Sequence, residues 1–148
     1  MPDTLTPGDG QDALARFKNA WQQRDVDRIV ELYAEDAQYR LDPFAEPLEG
    51  SVEIRKHWND VVATQNHVDF DAERIWVVGR TILVSWHAAY TRRSTAARIR
   101  IRGFSTIELD ETGLIARMRD WPNERDVGTD SRSAPEGEPE IGEKQDGQ

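Results

Sequence analysis

The sequence predicts an α+β domain, in which three N-terminal helices pack against a mostly antiparallel sheet. Two observations predict it. Through Val62 the apolar residues recur three and four positions apart, whereas after residue 67 they alternate. The order is also one-way, helices first and then a meander of long strands. In the first helix Ala13, Phe17, Ala20 and Trp21 share a face. Asp25 is placed to cap a second helix that carries Val26, Ile29, Val30 and Tyr33 inward. Gln38 to Leu41 reads as a short strand. Ser51 is placed to cap a third helix with the stripe Ile54, Trp58, Val61 and Val62.

The strands follow. Val68, Phe70 and Ala72 alternate with Asp69, Asp71 and Glu73, and Gly79-Arg80 turns the chain. Ile82, Val84, Trp86, Ala88 and Tyr90 then occupy one face of a strand, with His87 on the other. Arg92 to Ser94 makes the next turn. Arg98 to Arg102 alternates cleanly, and Gly103 marks a bulge that bends this strand. Glu111-Thr112-Gly113 leads into a last strand, Leu114 to Trp121, which Pro122 stops.

A chain of 148 residues holds one domain with a real core. Its net charge of −9 excludes a nucleic-acid or anionic-membrane partner, since phosphates call for clustered Lys and Arg. Cysteine is absent, which removes disulfides, thiol nucleophiles and cysteine metal sites and fits a cytoplasmic location. Met1 to Gly10 carries neither a basic region nor an apolar run, so it reads as a flexible arm and not as a signal peptide. Residues 11–127 form the domain. In residues 128–148 six acids stand against two bases, and this acidic tail reads as disordered. The histidines His57, His67 and His87 match no metal-ligand spacing, and His57 is expected on the outer side of its helix. No cofactor and no metal are expected.

The stretch Leu32-Tyr33-Ala34-Glu35-Asp36-Ala37-Gln38-Tyr39-Arg40-Leu41-Asp42-Pro43-Phe44, followed by Gly50 and Ile54-Arg55-Lys56-His57-Trp58, resembles the nuclear-transport-factor-like superfamily. That group includes the SnoaL-like cyclases, ketosteroid isomerase and limonene epoxide hydrolase. The resemblance implies a cone-shaped domain whose curved sheet wraps the helices around one deep apolar pocket. It also implies pairing of two copies through the convex sheet face. In the ketosteroid isomerase group a similar Ala-x-x-x-Asp-Pro segment carries the general base, which points to Asp42, although here the segment is one residue longer. The residues alone equally allow Asp42 to cap an Asp-Pro turn. The isomerase's two oxyanion donors fall on Phe17, which cannot donate, and Ser105, which can. Gly113 to Trp121 is similar to the ending of limonene epoxide hydrolase, which points to Asp120 as a water-activating carboxylate and to Tyr39 as its partner. That enzyme's Arg-x-Asp pair falls on Trp86 and Ala88 and its Asn on Leu41, so epoxide-opening acid chemistry is not implied.

The replacements make the site apolar. Phe17, Trp21, Leu41, Phe44, Trp58, Trp86, Ala88, Tyr90, Ser105 and Met118 are the expected lining. They suit a hydrophobic small molecule, or else they simply fill the cone. Two functions remain open from the sequence. One is an isomerase, cyclase, dehydratase or hydrolase with Asp42, Asp120 and Tyr39 as its chemical residues. The other is a non-catalytic binding or dimerisation module.

Overall fold

The computed structural model describes residues 4–132. Helix α1 (Pro7–Gln22) starts from a capping box: Thr6 Oγ1 accepts from the Asp9 N–H at 3.1 Å, and the Thr6 N–H donates to Asp9 Oδ2 at 2.8 Å. Residues 7–10 are thus the first turn of a helix, not an arm. Leu5 before them is buried, with its N–H bonded to the Gly79 carbonyl at 2.8 Å. Residues 1–3 lie outside the described residues. Asp25 caps α2 (Val26–Val30) as expected, accepting from the Arg28 N–H at 3.2 Å. The helix is one turn long, however, and Tyr33 opens β1 (Tyr33–Arg40) instead of closing α2. The short strand expected at Gln38 to Leu41 therefore begins five residues earlier, and Tyr33 reaches the core from a strand. After β2 (Leu48–Glu49), Gly50 turns at φ +85° and opens α3 (Gly50–Ala63). Ser51 is already inside that helix. The free N–H of Glu49 is satisfied instead by Glu53 Oε1 at 2.8 Å.

Four long strands complete the fold: β3 (Gln65–Val78), β4 (Thr81–Arg92), β5 (Ala97–Leu109) and β6 (Ile115–Thr129). They form one curved, unclosed sheet in the order β2-β1-β6-β5-β4-β3, in which only the β1–β6 pair is parallel. The alternation on β4 is borne out at every position from Ile82 to Tyr90. Helices α1 and α3 fill the concave side, where Leu14, Phe17, Trp21, Ile54 and Trp58 meet the inward residues of the sheet. No helix among the described residues is long and apolar enough to cross a membrane.

Three expectations about the strands are corrected. Gly103 lies in regular register between Trp86 and Pro122 and forms no bulge. Its missing side chain is where the Trp86 indole lies. Pro122 does not stop β6, which continues to Thr129. Strand β1 ends opposite Arg119, so β6 has no neighbour on that side beyond it, and a proline can sit there without removing a ladder bond. The segment from Gly128 is attached as far as Arg132. Asp130 is buried, accepts from Thr91 Oγ1, and is gripped through both oxygens by Arg132. These hydrogen bonds, Arg132 first and then Thr91, hold its carboxyl well below the usual range. The rest of the expected tail, residues 133–148, lies outside the described residues.

Candidate active site

Three neighbouring strands converge on one carboxylate. On β6 the alternation that buries Met118 turns Asp120 inward as well. On β1 Tyr39 stands opposite Met118, and on β5 Ser105 stands opposite Asp120. Tyr39 donates its hydroxyl hydrogen to Asp120 Oδ2. Ser105 donates to Asp120 Oδ1 at 2.6 Å, and the Trp86 indole N–H donates in turn to Ser105 Oγ at 2.8 Å. The result is a relay, Trp86 to Ser105 to Asp120, with Tyr39 closing the other side.

Burial pushes the Asp120 carboxyl above its ordinary 3.8, while the hydrogen bonds from Ser105 and Tyr39 pull the other way and only partly offset it. Tyr39 is pushed well above 10.0 by burial and by the nearby Asp120 charge, so its hydroxyl keeps its proton and remains a donor. Tyr33 behaves alike, raised by burial and then by Asp120, and donates to Met118 Sδ at 3.4 Å.

These groups open into a hollow of about 220 Å³ under α1 and α3. Its walls are interlocked rings. Phe17 meets Trp21 at 6.0 Å and Trp58 at 5.8 Å, both edge-on, and Phe70 lies 5.5 Å from Trp86. The Trp21 N–H is satisfied by Gln65 Oε1 at 3.0 Å. The Trp58 N–H has no bonded partner among the described residues. The Tyr33 oxygen is near enough to feel it but does not make a bond of acceptable geometry. The rings thus line the space without closing it. A larger groove of about 480 Å³ lies outside, between α1, α2 and the β5–β6 turn, but it brings no buried titratable group together.

Of the expected site residues, Tyr39, Asp120, Phe17, Trp21, Trp58, Trp86, Tyr90, Ser105 and Met118 line the hollow. Four do not. Asp42 is exposed, and its Oδ1 accepts from the Phe44 N–H at 2.9 Å, so the turn-capping alternative describes its place. Phe44 in the same turn is 97% exposed. Leu41 is half-buried at the edge of the core. Ala88 is buried between Phe70 and Ile101, whose larger side chains form the wall in its stead. One residue placed outside by the sequence reading belongs within. His57 is half-buried and lines the hollow, perpendicular to Tyr39 at 5.5 Å. The signal was its spacing of four from Val61, another lining residue, which extends the apolar stripe of α3 sideways.

The SnoaL-like domain family matches residues 14–118. No curated protein matches the chain. Among solved structures, the chain is similar to the epoxide hydrolase/cyclase-like enzyme SalBIII, which acts in pyran ring formation in the polyether salinomycin. The identity is 23%, the TM-score is 0.69, and 78% of this chain and 92% of that one are covered. A protein assigned as an isomerase from Bacillus subtilis matches at 22% identity and TM-score 0.70, over 78% of this chain and 87% of that one. One assigned as a SnoaL-like polyketide cyclase from Shewanella denitrificans OS-217 matches at 15% and 0.70, over 80% and 92%. At these identities the likeness is one of fold. The family match spans well over half of the chain, from within α1 to the inward Met118 of β6, and this protein belongs to the SnoaL-like domain family.

Proposed function

We propose that this SnoaL-like domain is an enzyme of proton transfer on a compact hydrophobic molecule. Asp120 is its general base, and Tyr39 and Ser105 hold the carboxylate in place. One observation carries the reading: an inward carboxylate fixed by two hydroxyl donors inside an apolar hollow. Burial raises such a group toward the working range of a base, and the donors keep its charged form accessible. At about 220 Å³ the hollow is smaller than the ~300–1,000 Å³ of sites for larger ligands, so one or two fused rings fit the reading best. Asp42 takes no part, because its carboxylate is exposed, caps a turn and does not line the hollow.

A flat probe tests this without knowledge of the substrate. 5-Nitrobenzisoxazole opens when a base removes its ring C–H proton, the N–O bond breaks, and a coloured phenolate forms. The protein is expected to accelerate this opening beyond free acetate at equal concentration, with a rate that rises as pH rises through the elevated Asp120 value. A flat profile at the acetate rate would dismiss the catalytic reading. A second reading, a binding module without catalysis, is favoured by the engagement of both Asp120 oxygens with protein hydroxyls, and that flat profile is the result it expects.

The same proposal includes pairing of two copies through the convex face. There Trp76 and Trp121, 42% and 39% exposed, flank Phe104 at 6.4 and 6.3 Å, forming a diagonal aromatic band. Two ion pairs beside it are closed within the chain, Asp69 with Arg98 at 2.8 Å and Glu73 with Arg102 at 2.7 Å, and the Arg74 guanidinium lies over the Trp76 ring at 5.5 Å. A second copy covers such a band with a matching one. Sedimentation is expected to give a dimer, and Trp76→Glu a monomer with unchanged circular dichroism. A wild-type monomer at all concentrations would remove the pairing.

A further inference from the structure

His57 brings to the hollow a feature that the Asp120 relay lacks, a polar group with nothing yet bonded to it, which it shares with the neighbouring Trp58 N–H. Four other donors of the hollow are engaged already. The Tyr39 and Ser105 hydroxyls both serve Asp120, the Trp86 N–H serves Ser105, and the Trp21 N–H serves Gln65. Neither ring nitrogen of His57 has a hydrogen-bond partner among the described residues, although the ring lines the same space as Asp120. The ring is also well fixed. It stands at 90° to Tyr39 with centroids 5.5 Å apart, and at 74° to Trp58 with centroids 5.4 Å apart. The imidazole is half-buried and its nitrogens are not sealed from solvent, so a ligand that fills the hollow and covers them must offer a bond in place of water's.

We infer that His57 is the ligand's oxygen anchor, an N–H donor on α3 that receives a carbonyl, ether or phenolic oxygen while the hydrocarbon rings of the ligand fill the hollow toward Asp120. The inference rests on the hollow being an open small-molecule site, as proposed above, and adds the substrate class: flat compounds with an oxygen acceptor at one edge. Burial pulls the imidazole below its ordinary 6.5, with Asp60 one turn along α3 opposing this, so the ring is neutral near pH 7. Neutral imidazole has one N–H to donate and one bare nitrogen. The groups set around it are Asp60 on its own helix, the Tyr39 phenol on β1, and the Asp120 and Glu124 carboxylates of β6, which line the same hollow. All of the ionisable ones are acids, so no cation there competes for the oxygen. Negative charge that reaches the anchored oxygen during proton removal at Asp120 meets the N–H of His57.

The test compares 2-naphthol with naphthalene, two probes that differ by one oxygen, by calorimetry and by nitrogen-15 NMR of the histidine side chains. In the wild-type protein 2-naphthol is expected to bind more tightly than naphthalene and to shift the His57 imidazole signals. His57→Phe should weaken 2-naphthol about tenfold and leave naphthalene unchanged. His57→Gln, which keeps an N–H donor, should recover most of the loss, and circular dichroism of both variants should match the wild type. Equal 2-naphthol affinity in the wild type and in His57→Phe, or unmoved imidazole signals, would overturn the anchor while leaving the hollow intact. Failure of both probes to bind the wild type would overturn the open hollow itself and the anchor with it.

Discussion

Asp120→Asn should lower the rate of 5-nitrobenzisoxazole opening by about 10²–10⁴-fold and flatten its rise with pH. The amide is nearly isosteric with the carboxyl and can still accept from one of the two hydroxyls, so the hollow survives while the base is lost. Stability should move the opposite way. The folded-state value of Asp120 is raised above 3.8, so the native protein binds this proton more tightly than the unfolded chain does. The stability contributed by the group is fully present below pH 3.8 and declines as pH rises through the elevated folded value. At neutral pH the wild type holds an ionised carboxylate in a partly dehydrated place, and Asp120→Asn removes that cost. The variant is therefore expected to melt at or above the wild-type temperature at pH 7, with the difference shrinking or reversing below pH 4. A variant that loses activity and also unfolds more easily at pH 7 would show that the carboxylate serves the fold and not the chemistry. Tyr39→Phe should act more mildly, because Ser105 continues to hold the other oxygen.

How far the sequence reveals this arrangement depends on what each residue's local pattern records. Period alone places α1, α3 and the inward faces of β3, β4 and β5, because burial on one side imposes that period directly. It misplaces Tyr33, which lies at helical spacing from Ile29 and Val30 and so continues their stripe, although the chain has already left the helix to pair with β6. Proline at 122 misleads because its effect depends on whether the strand has a neighbour on that side, which is a fact of topology. Asp120 and Tyr39 are legible as inward positions of strands, and Ser105 as their opposite number. Asp42 and His57 are not, since each lies near the end or the flank of an element. A shift of one position in the turn after β1 sends Asp42 to solvent. A helix stripe slightly wider than the strictest apolar face brings His57 in.

Gly103 bears the most exacting demand in the site, and Gly103→Ala is expected to show it. A Cβ there would stand well inside contact distance of Trp86 Cζ2 and Cε2, and 2.8 Å from Cη2. The indole is not a flexible end that can swing away. It is 7% exposed, lies 5.5 Å from Phe70, and is bonded through its N–H to Ser105. Nor can the backbone yield easily, because Gly103 is in regular register with Trp86 on one side and with Pro122 on the other. The methyl must therefore push the ring into the hollow, which strains the core by about 1–3 kcal/mol. If the N–H of Trp86 then leaves Ser105, a buried donor goes unpaired at a further cost of about 1–3 kcal/mol. Together these predict a fall in melting temperature of about 5–15 °C. The same displacement shrinks the hollow and loosens Ser105 from its relay, so naphthalene binding should weaken and the pH at which the probe reaction rises should shift. The cause can be isolated by a double-mutant cycle with Trp86→Phe, whose smaller ring lacks the atoms that the new methyl meets. Steric conflict predicts that Gly103→Ala costs much less in the Trp86→Phe background than in the wild type, a coupling of at least about 1 kcal/mol. Simple additivity of the two changes would mean that Gly103 is needed for its backbone alone, and that the indole is not seated against it.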